Sequence, residues 1–358
     1  MDATTVGVDL AKSVFQLAVS PAAGGAVQYH RLSRPQFERW FDNRAVSCVV
    51  MEACGSAHYW ARCLSARGIT VRLLPPRYVR PYVKRNKTDA ADAAALLEAA
   101  RCAQIVPVRI KSIEQQALQS LHRMRSQWLS TRTARINAMR GCCREFGVCL
   151  SEGARAGLQQ IANLLAEPHS ALPVLIRSML HSTLEEVRLL EQRITDLERP
   201  LSEAAAQSSA CQQLLSIPGI GLITATAMAA STGGDVAHFK DARHFASWFG
   251  LTPKEHSSGG TRHLGRISKR GDRYLRVLLT HGARSVLRAA TLAQRCQRPL
   301  DPLRAWALSL QARTHRNKAV CALANKLARI CYATLRDAEP YRGTKSARAI
   351  KPTDVLAA

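Results

Sequence analysis

The sequence predicts an α/β fold: a mixed-sheet domain at the N-terminus, followed by a mainly helical chain. Short β-rich runs alternate with helical patterns over the first hundred residues, and long amphipathic helical patterns begin near residue 113. With 358 residues, 47% of them hydrophobic, the chain can form two or three domains. We expect domains at residues 1–109, 110–210 and 211–342, with a polar, disordered tail at 343–358.

In the first domain, runs rich in β-branched and apolar residues predict strands, and runs with helical periodicity predict helices. Three hairpin-like strands come first, and strands then alternate with helices, which is typical of a mixed sheet with helices packed on it. The predicted strands are Thr5–Asp9, Val14–Ser20, Ala26–Leu32, Ala45–Glu52 and Thr70–Leu74, and the predicted helices are Gln36–Asp42, Ser56–Arg67 and Thr88–Arg101.

Two long helices are predicted in the middle region, at Ile113–Gly147 and Leu172–Ala206. The second repeats apolar residues at alternating spacings of three and four, so it carries a short heptad seam. An intramolecular helical hairpin and a dimerising coiled coil both fit this pattern. The seam residues are Val187, Leu190, Ile194, Leu197 and Leu201.

The last third predicts helices near Phe239–Phe249, Arg273–Ala290 and Lys318–Ala338, with a Gly- and Lys/Arg-rich loop at residues 251–272. Its apolar run Leu214–Ala230 is broken by Pro218 and glycines, so it is too short to span a bilayer.

Charge and cysteine usage limit the classes of partner. Lys and Arg exceed Asp and Glu by 25, with a pI near 10.4, which indicates a polyanionic partner such as nucleic acid rather than a membrane. Aromatic residues are only 5%, which argues against a base-stacking single-strand module. The eleven Cys form no CxxC pair, so we expect reduced thiols in a cytoplasmic protein, and we expect no secretion signal in MDATTVGVDLAK.

Four carboxylates in the first domain form a candidate metal site. Asp9 and Glu52 each stand at the end of an otherwise apolar predicted strand, and Asp89 and Asp92 lie three apart in NKTDAADA (86–93) on one helix face. Hard oxygen ligands suit Mg²⁺ or Mn²⁺, and a pair of such ions is a known device for moving phosphodiesters. Taken singly, each acid also fits a solvated cap or favourable charge in the first turn of a helix.

Two motifs in the last third could contact DNA. SIPGIG (216–221) has the form of a helix-hairpin-helix turn, in which Gly219 and Gly221 would let backbone approach a phosphate, although an ordinary tight turn also fits. In residues 252–276, Ser257 and Ser258 precede Gly259 and Gly260, so a serine hydroxyl there is sterically open; a simple turn residue is the alternative. The basic residues around them could stabilise a serine alkoxide and bind nucleic acid: Arg262, Arg266, Lys269, Arg270 and Arg273.

Together these motifs resemble the DEDD insertion-sequence transposases of the IS110 family. The similarity runs over residues 4–342 and includes the late stretch HRNKAVCALANKLARICYATL. It implies a RuvC-like, ribonuclease-H-type N-terminal domain, a coiled-coil region and a C-terminal transposase domain. One departure is Thr261, where the family usually has Lys, which puts one phosphate contact in doubt.

The resemblance also implies roles for the candidate residues. Asp9, Glu52, Asp89 and Asp92 match the family's Mg²⁺-binding acids, and Ser258 best matches its serine nucleophile, with Ser257 an adjacent alternative. The implied partners are donor and target DNA, an element-encoded bridge RNA, and further copies of the chain as a dimer assembling to a tetramer. The protein would then act at the bacterial nucleoid.

This combination suggests a recombinase that cuts and rejoins DNA through a phosphoserine link. Three alternatives remain open: a RuvC-like nuclease or junction resolvase without a covalent intermediate, a site-specific invertase, and a non-catalytic nucleic-acid scaffold.

Overall fold

The computed structural model of the chain describes residues 4–20, 26–83, 88–167 and 172–343. The chain divides into two compact units, Met1–Ser112 and Ile113–Ala358. Asn86 and Lys87 of the predicted acidic motif, and residues 344–358 of the predicted tail, lie outside the described residues. Within the described ranges, no helix is long and apolar enough to cross a membrane.

A five-stranded mixed sheet forms the centre of the first unit, which confirms the predicted fold class. The order across the sheet is β3-β2-β1-β4-β5; β1, β2 and β3 pair antiparallel, whereas β4 runs parallel to both β1 and β5. This mixed topology is consistent with the ribonuclease-H-type sheet that the resemblance implies. The strands are β1 (Thr4–Leu10), β2 (Val14–Ser20), β3 (Gln28–Ser33), β4 (Val46–Glu52) and β5 (Thr70–Leu74).

Helices cover both faces of this sheet. They are α1 (Arg34–Trp40), α2 (Ala57–Ser65), α3 (Pro76–Val79) and α4 (Asp89–Arg101), and a short 3-10 helix follows α3 at Arg80–Tyr82.

Alternation along the strands gives the two faces different cores. Val6 and Val8 of β1 are fully buried in an aromatic core with Phe37 and Trp60, which α1 and α2 supply. On the opposite face, Val50 of β4 packs on α4. The sheet is therefore the middle layer of three.

The second unit is mainly helical. Its helices are α5 (Ile113–Glu145), α6 (Ala154–Ala166), α7 (Val174–Gln207), α8 (Ser209–Leu215), α9 (Leu222–Thr232), α10 (Ala242–Trp248), α11 (Arg273–Arg295), α12 (Pro302–Arg313) and α13 (Arg316–Asp337). A core of buried apolar residues from α8 to α13 holds its C-terminal part together.

Helices α5 and α7 form an antiparallel hairpin within one chain, which answers the question that the heptad seam left open. All five predicted seam residues are buried, at 9% exposure or less. Three ion pairs join the two helices, and the residue numbers rise along α5 as they fall along α7, which shows that the helices are antiparallel. The pairs are Arg125 with Glu198, Arg132 with Glu191, and Arg135 with Glu186. The seam therefore gives no support to the predicted dimer, which stays a prediction.

The segment predicted as a loop at residues 251–272 contains a two-stranded hairpin instead. Its strands are β6 (Pro253–Glu255) and β7 (Leu264–Ile267), paired antiparallel. Pro253, Lys254 and Glu255 are all exposed, so the strand lacks the apolar alternation by which a half-buried strand is identified.

Candidate functional site

Asp9 and Glu52 lie side by side at one end of the sheet. Val8 of β1 pairs with Met51 of β4 in parallel register, so the next residues, Asp9 and Glu52, are neighbours on strands about 4.8 Å apart. Because side chains alternate along a strand, Asp9 lies on the same side of the sheet as Gly7 and opposite the buried Val8, and Glu52 lies on the same side as Val50. Both carboxylates therefore belong to the sheet face that α4 covers.

Gly7 lets α4 approach this face closely. A methyl group built on Gly7 would overlap the carbonyl oxygen of Ala93, so the helix backbone lies directly on β1. Asp89 and Asp92 occupy the first turn of α4, where the positive end of the helix dipole favours carboxylates. Asp92 immediately precedes Ala93, the residue that contacts Gly7. The Thr88 hydroxyl caps this turn by accepting the Ala91 N–H at 3.2 Å.

The fold thus places the four predicted acids on one face of the sheet, and the donor set has the hard oxygen chemistry that Mg²⁺ prefers. Asp89 and Asp92 form no ion pair with any described residue. Among the described residues, no three His, Cys, Asp or Glu side chains lie close enough together to hold a metal ion. Metal binding by this set stays a prediction, and it would require the carboxylates to draw together.

The two candidate serines lie in the hairpin of β6 and β7, in the second unit. Ser258 and Thr261 face each other across a tight turn, with the Thr261 N–H donating to the Ser258 carbonyl at 3.2 Å. Gly259 has a φ of +57°, the left-handed region that glycine adopts readily and that tight hairpin turns require. The turn thus explains Gly259.

The hydroxyls of these adjacent serines have different surroundings. Ser257 donates to Glu255 Oε1 at 2.8 Å and accepts the His263 N–H at 3.1 Å, so its side chain ties the two strands together. Ser258 is exposed, and no described residue hydrogen-bonds its hydroxyl. Of the two, only Ser258 presents an uncommitted oxygen to an incoming group.

The base of the hairpin is anchored firmly. A methyl group built on Gly250 would overlap the backbone of Arg270, and one built on Gly271 would overlap the carbonyl of Trp248. The Lys269 N–H donates to Gly250 O at 3.0 Å. Backbone packed on backbone fixes the position from which the serine turn extends.

The basic residues predicted to bind nucleic acid surround this hairpin and are all exposed. Arg262 lies near Glu255, with 3.6 Å between Nε and Oε1. The other four, which are Arg266, Lys269, Arg270 and Arg273, form no ion pair within the described part of the chain. Their charges are thus available to phosphates, and the contacts themselves stay predictions.

The SIPGIG segment connects α8 to α9, as the predicted turn between two helices requires. Gly219, with a φ of +86°, packs on α11: a methyl group there would lie 2.6 Å from Val286 Cγ2 and 2.8 Å from Gly282 O. Gly221 is exposed and has open space around it. Packing between helices explains Gly219, and a phosphate contact at either glycine stays a prediction.

Sequence reasoning missed a buried polar network beside the serine hairpin. His122 of α5 is 3% exposed; its Nδ1 lies 3.0 Å from Tyr274 Oη, and its Nε2 lies 3.0 Å from Thr226 Oγ1. Thr226 already donates to Leu222 O at 2.7 Å, so Nε2–H donates to Thr226 and Nδ1 accepts from Tyr274. Burial, with the nearby charge of Arg125, lowers the pKa of His122 to about 4.

This network connects α5 and α9 to the first turn of α11, which follows the hairpin. The sequence did not predict this network, because a single His in an Arg-rich helical pattern indicates neither its burial nor its hydrogen-bond partners.

Comparison with known proteins decides the family. A family profile described as "Transposase IS116/IS110/IS902 family" matches residues 211–297, and a second, described as "Transposase" of the DEDD IS110 type, matches residues 6–147. A Pseudomonas aeruginosa protein named "Probable family 20 transposase" is 43% identical over 96% of this chain and 99% of its own length. The chain belongs to the IS110 family of insertion-sequence transposases.

Further relatives of this transposase come from other bacteria. The "Transposase for insertion sequence element IS1111A" of Coxiella burnetii is 38% identical over 95% of this chain and 92% of its own. The "Transposase for insertion sequence element IS1328" of Yersinia enterocolitica is 36% identical over 92% of this chain and 96% of its own length. The first profile spans Ser258 of the transposase, and the second spans the four acids from Asp9 to Asp92.

Proposed function

We propose that this transposase cuts and rejoins DNA through a covalent phosphoserine intermediate formed on Ser258. The observation that carries this proposal is the difference between the two serines. The Ser257 hydroxyl is held by Glu255 and His263, whereas the Ser258 hydroxyl is exposed and uncommitted beside a left-handed glycine. A nucleophilic oxygen must be accessible to a DNA phosphorus, and the exposed Ser258 hydroxyl meets that condition.

In this mechanism Ser258 Oγ attacks a phosphodiester phosphorus. An Oγ–P bond forms, the bond from phosphorus to the 3′ oxygen breaks, and the proton lost by the serine is balanced by the proton that the 3′-hydroxyl gains. Attack by another strand's 3′-hydroxyl on the phosphoserine reverses these steps and restores Ser258. Arg262 and Arg266 of the hairpin would stabilise charge on the phosphoryl oxygens. No nucleotide cofactor is needed, because the phosphodiester energy is kept in the covalent link.

Asp9, Glu52, Asp89 and Asp92 would hold Mg²⁺, with Mn²⁺ as a substitute, which when bound supplies positive charge to the reacting phosphate. Their shared sheet face supports this assignment. The ribonuclease-H-type classification of this domain is part of the same proposal.

We further propose that a bridge RNA guides the enzyme and that it assembles as a dimer and tetramer, joining the acidic and serine sites of different subunits. The high positive charge, with no evident base-reading motif, supports guided recognition. The dimer rests on the resemblance alone, since the heptad seam is buried within one chain.

The test compares Ser258→Ala with Ser257→Ala, using labelled DNA that carries the element's own ends. Denaturing gels should show a protein–DNA adduct with the unchanged enzyme and none with Ser258→Ala. Ser257→Ala should give a reduced but detectable amount of adduct, because that variant loses only the hydrogen bonds of Ser257 with Glu255 and His263. Mass spectrometry of the digested adduct should place the phosphate on Ser258.

An adduct formed by Ser258→Ala would refute the assignment. Metal-dependent cleavage without an adduct in the unchanged enzyme would favour the nuclease alternative. Asp9→Asn should abolish adduct formation with the fold intact, and a fully active Asp9→Asn variant would support a non-catalytic scaffold. Active protein that purifies free of RNA would contradict guidance.

A further inference from the structure

A cationic cavity lies in the second unit, away from the serine turn in sequence. It has a volume of about 350 Å³ and lies between the loop that leads into α10 and the last turns of α13. On α13 it is lined by Arg329, Tyr332 and Arg336, which are three and four residues apart and share one helix face. Lys240, Asp241, Ala242 and Arg243 line the opposite wall.

The walls of this cavity are held by the core. Tyr332 is 6% exposed and donates its hydroxyl hydrogen to Phe239 O at 3.3 Å, which joins α13 to the loop before α10. The Phe239 ring packs edge-on against the fully buried Phe245, with centroids 4.8 Å apart. Arg329 and Arg336 therefore stand on α13 and Arg243 on α10, and the Tyr332–Phe239 hydrogen bond holds the loop that carries Lys240 against α13.

The acids near the cavity are already engaged. Asp241 Oδ1 accepts the His244 N–H at 2.8 Å and lies 2.9 Å from His244 Nδ1; these hydrogen bonds lower the pKa of Asp241 to about 2. Asp337 pairs with Arg336, with 2.8 Å between Oδ1 and Nε.

Three other cations line the cavity. Lys240, Arg243 and Arg329 form no ion pair with any residue that the structure describes. Unpaired cations around one concavity attract a group that brings several oxygens and negative charge, and guanidinium groups match the two-oxygen edge of a phosphate.

We propose that this cavity binds the phosphate backbone of a nucleic acid strand, at a site separate from the serine hairpin. The chain carries a net charge of +25, so a polyanion is the partner that the whole molecule attracts. Arg243 and Arg329 would each neutralise a phosphate. DNA and RNA share this chemistry, and the test separates them.

The experiment measures how salt affects binding of the full chain to two probes: a labelled random-sequence DNA duplex and a labelled single-stranded RNA. The test variant is Arg243→Gln with Arg329→Gln. Loss of two phosphate contacts should reduce the salt slope by about 1.8 for duplex DNA or about 1.4 for a single strand. Between 50 and 200 mM salt, affinity for the duplex should then fall about 12-fold less than in the unchanged protein.

The matched control is Arg284→Gln with Arg288→Gln, which removes two exposed, unpaired arginines from α11 outside the cavity. A smaller slope only in the cavity variant supports the site, and the probe that responds identifies the strand. Equal salt slopes in the cavity variant and the unchanged protein would overturn the proposed site. Equal reductions of the slope in the cavity variant and the control variant would also overturn it. Arg243→Lys with Arg329→Lys keeps the charge and should keep the slope. Because adduct formation on Ser258 is not the readout, failure here leaves the proposed mechanism standing.

Discussion

Replacing His122 by glutamine should remove a pH dependence from the stability of the second unit. His122 is 3% exposed and neutral, with both ring nitrogens engaged by Tyr274 and Thr226. Protonation would put a charge in a buried site near Arg125 and would take away the acceptor that Tyr274 needs. Its pKa is therefore about 4 in the folded protein, against 6.5 when exposed.

The sign of the effect follows from these two values. Between pH 6.5 and pH 4 the unfolded chain binds the proton and the folded chain does not, so acid favours unfolding. Stability from this group is full above pH 6.5 and falls as the pH drops to about 4. From pH 7.5 to pH 5 the two pKa values give a loss of about 2 kcal/mol.

The assay is urea unfolding at both pH values, followed by helical circular dichroism, for the unchanged protein and for His122→Gln. Other histidines titrate in both proteins, so the relevant quantity is the difference between their pH dependences, which should be about 2 kcal/mol. Glutamine keeps an amide donor and acceptor but has no proton to gain. Equal pH dependence in the two proteins, or an imidazole pKa near 6 by NMR titration, would refute the reasoning.

Two further predictions concern close backbone contacts. Gly7→Ala should destabilise the first unit by about 1–3 kcal/mol in urea unfolding, because the new methyl group overlaps the Ala93 carbonyl. The control Gly55→Ala should be near neutral, since Gly55 has open space around it. Gly282→Ala should destabilise the second unit by about 1–2 kcal/mol despite the better helix propensity of alanine, since its methyl overlaps the Gly219 carbonyl. The exposed Gly141→Ala should instead stabilise by up to about 1 kcal/mol, and equal melting temperatures for these two variants would contradict the contact.

The sheet could be predicted from sequence because its strands obey simple patterns. Val14–Ser20 and Thr70–Leu74 were predicted with the bounds that the structure has, since apolar and β-branched residues mark each strand. The hairpin of β6 and β7 could not, because it stands exposed and its pairing depends on a glycine turn. Helices α6 and α12 were not predicted either.

The candidate site could be predicted in part. Strand-end carboxylates identified Asp9 and Glu52, but their common face with Asp89 and Asp92 depends on register and on the approach of α4 over Gly7. Adjacent serines look alike in a sequence, and only their hydrogen bonds distinguish them. The cationic cavity joins Arg243 to Arg329, which no local pattern could have related.

The internal pairing of α5 with α7 also sets a kinetic condition on assembly. A second chain could replace α7 against α5 only after the hairpin opens, which would break the cross-hairpin Arg–Glu pairs and expose the seam to water. Exchange of arms between copies would therefore pass through partial unfolding and be slow. Any subunit association that proceeds within seconds of mixing must use surface that lies outside this seam.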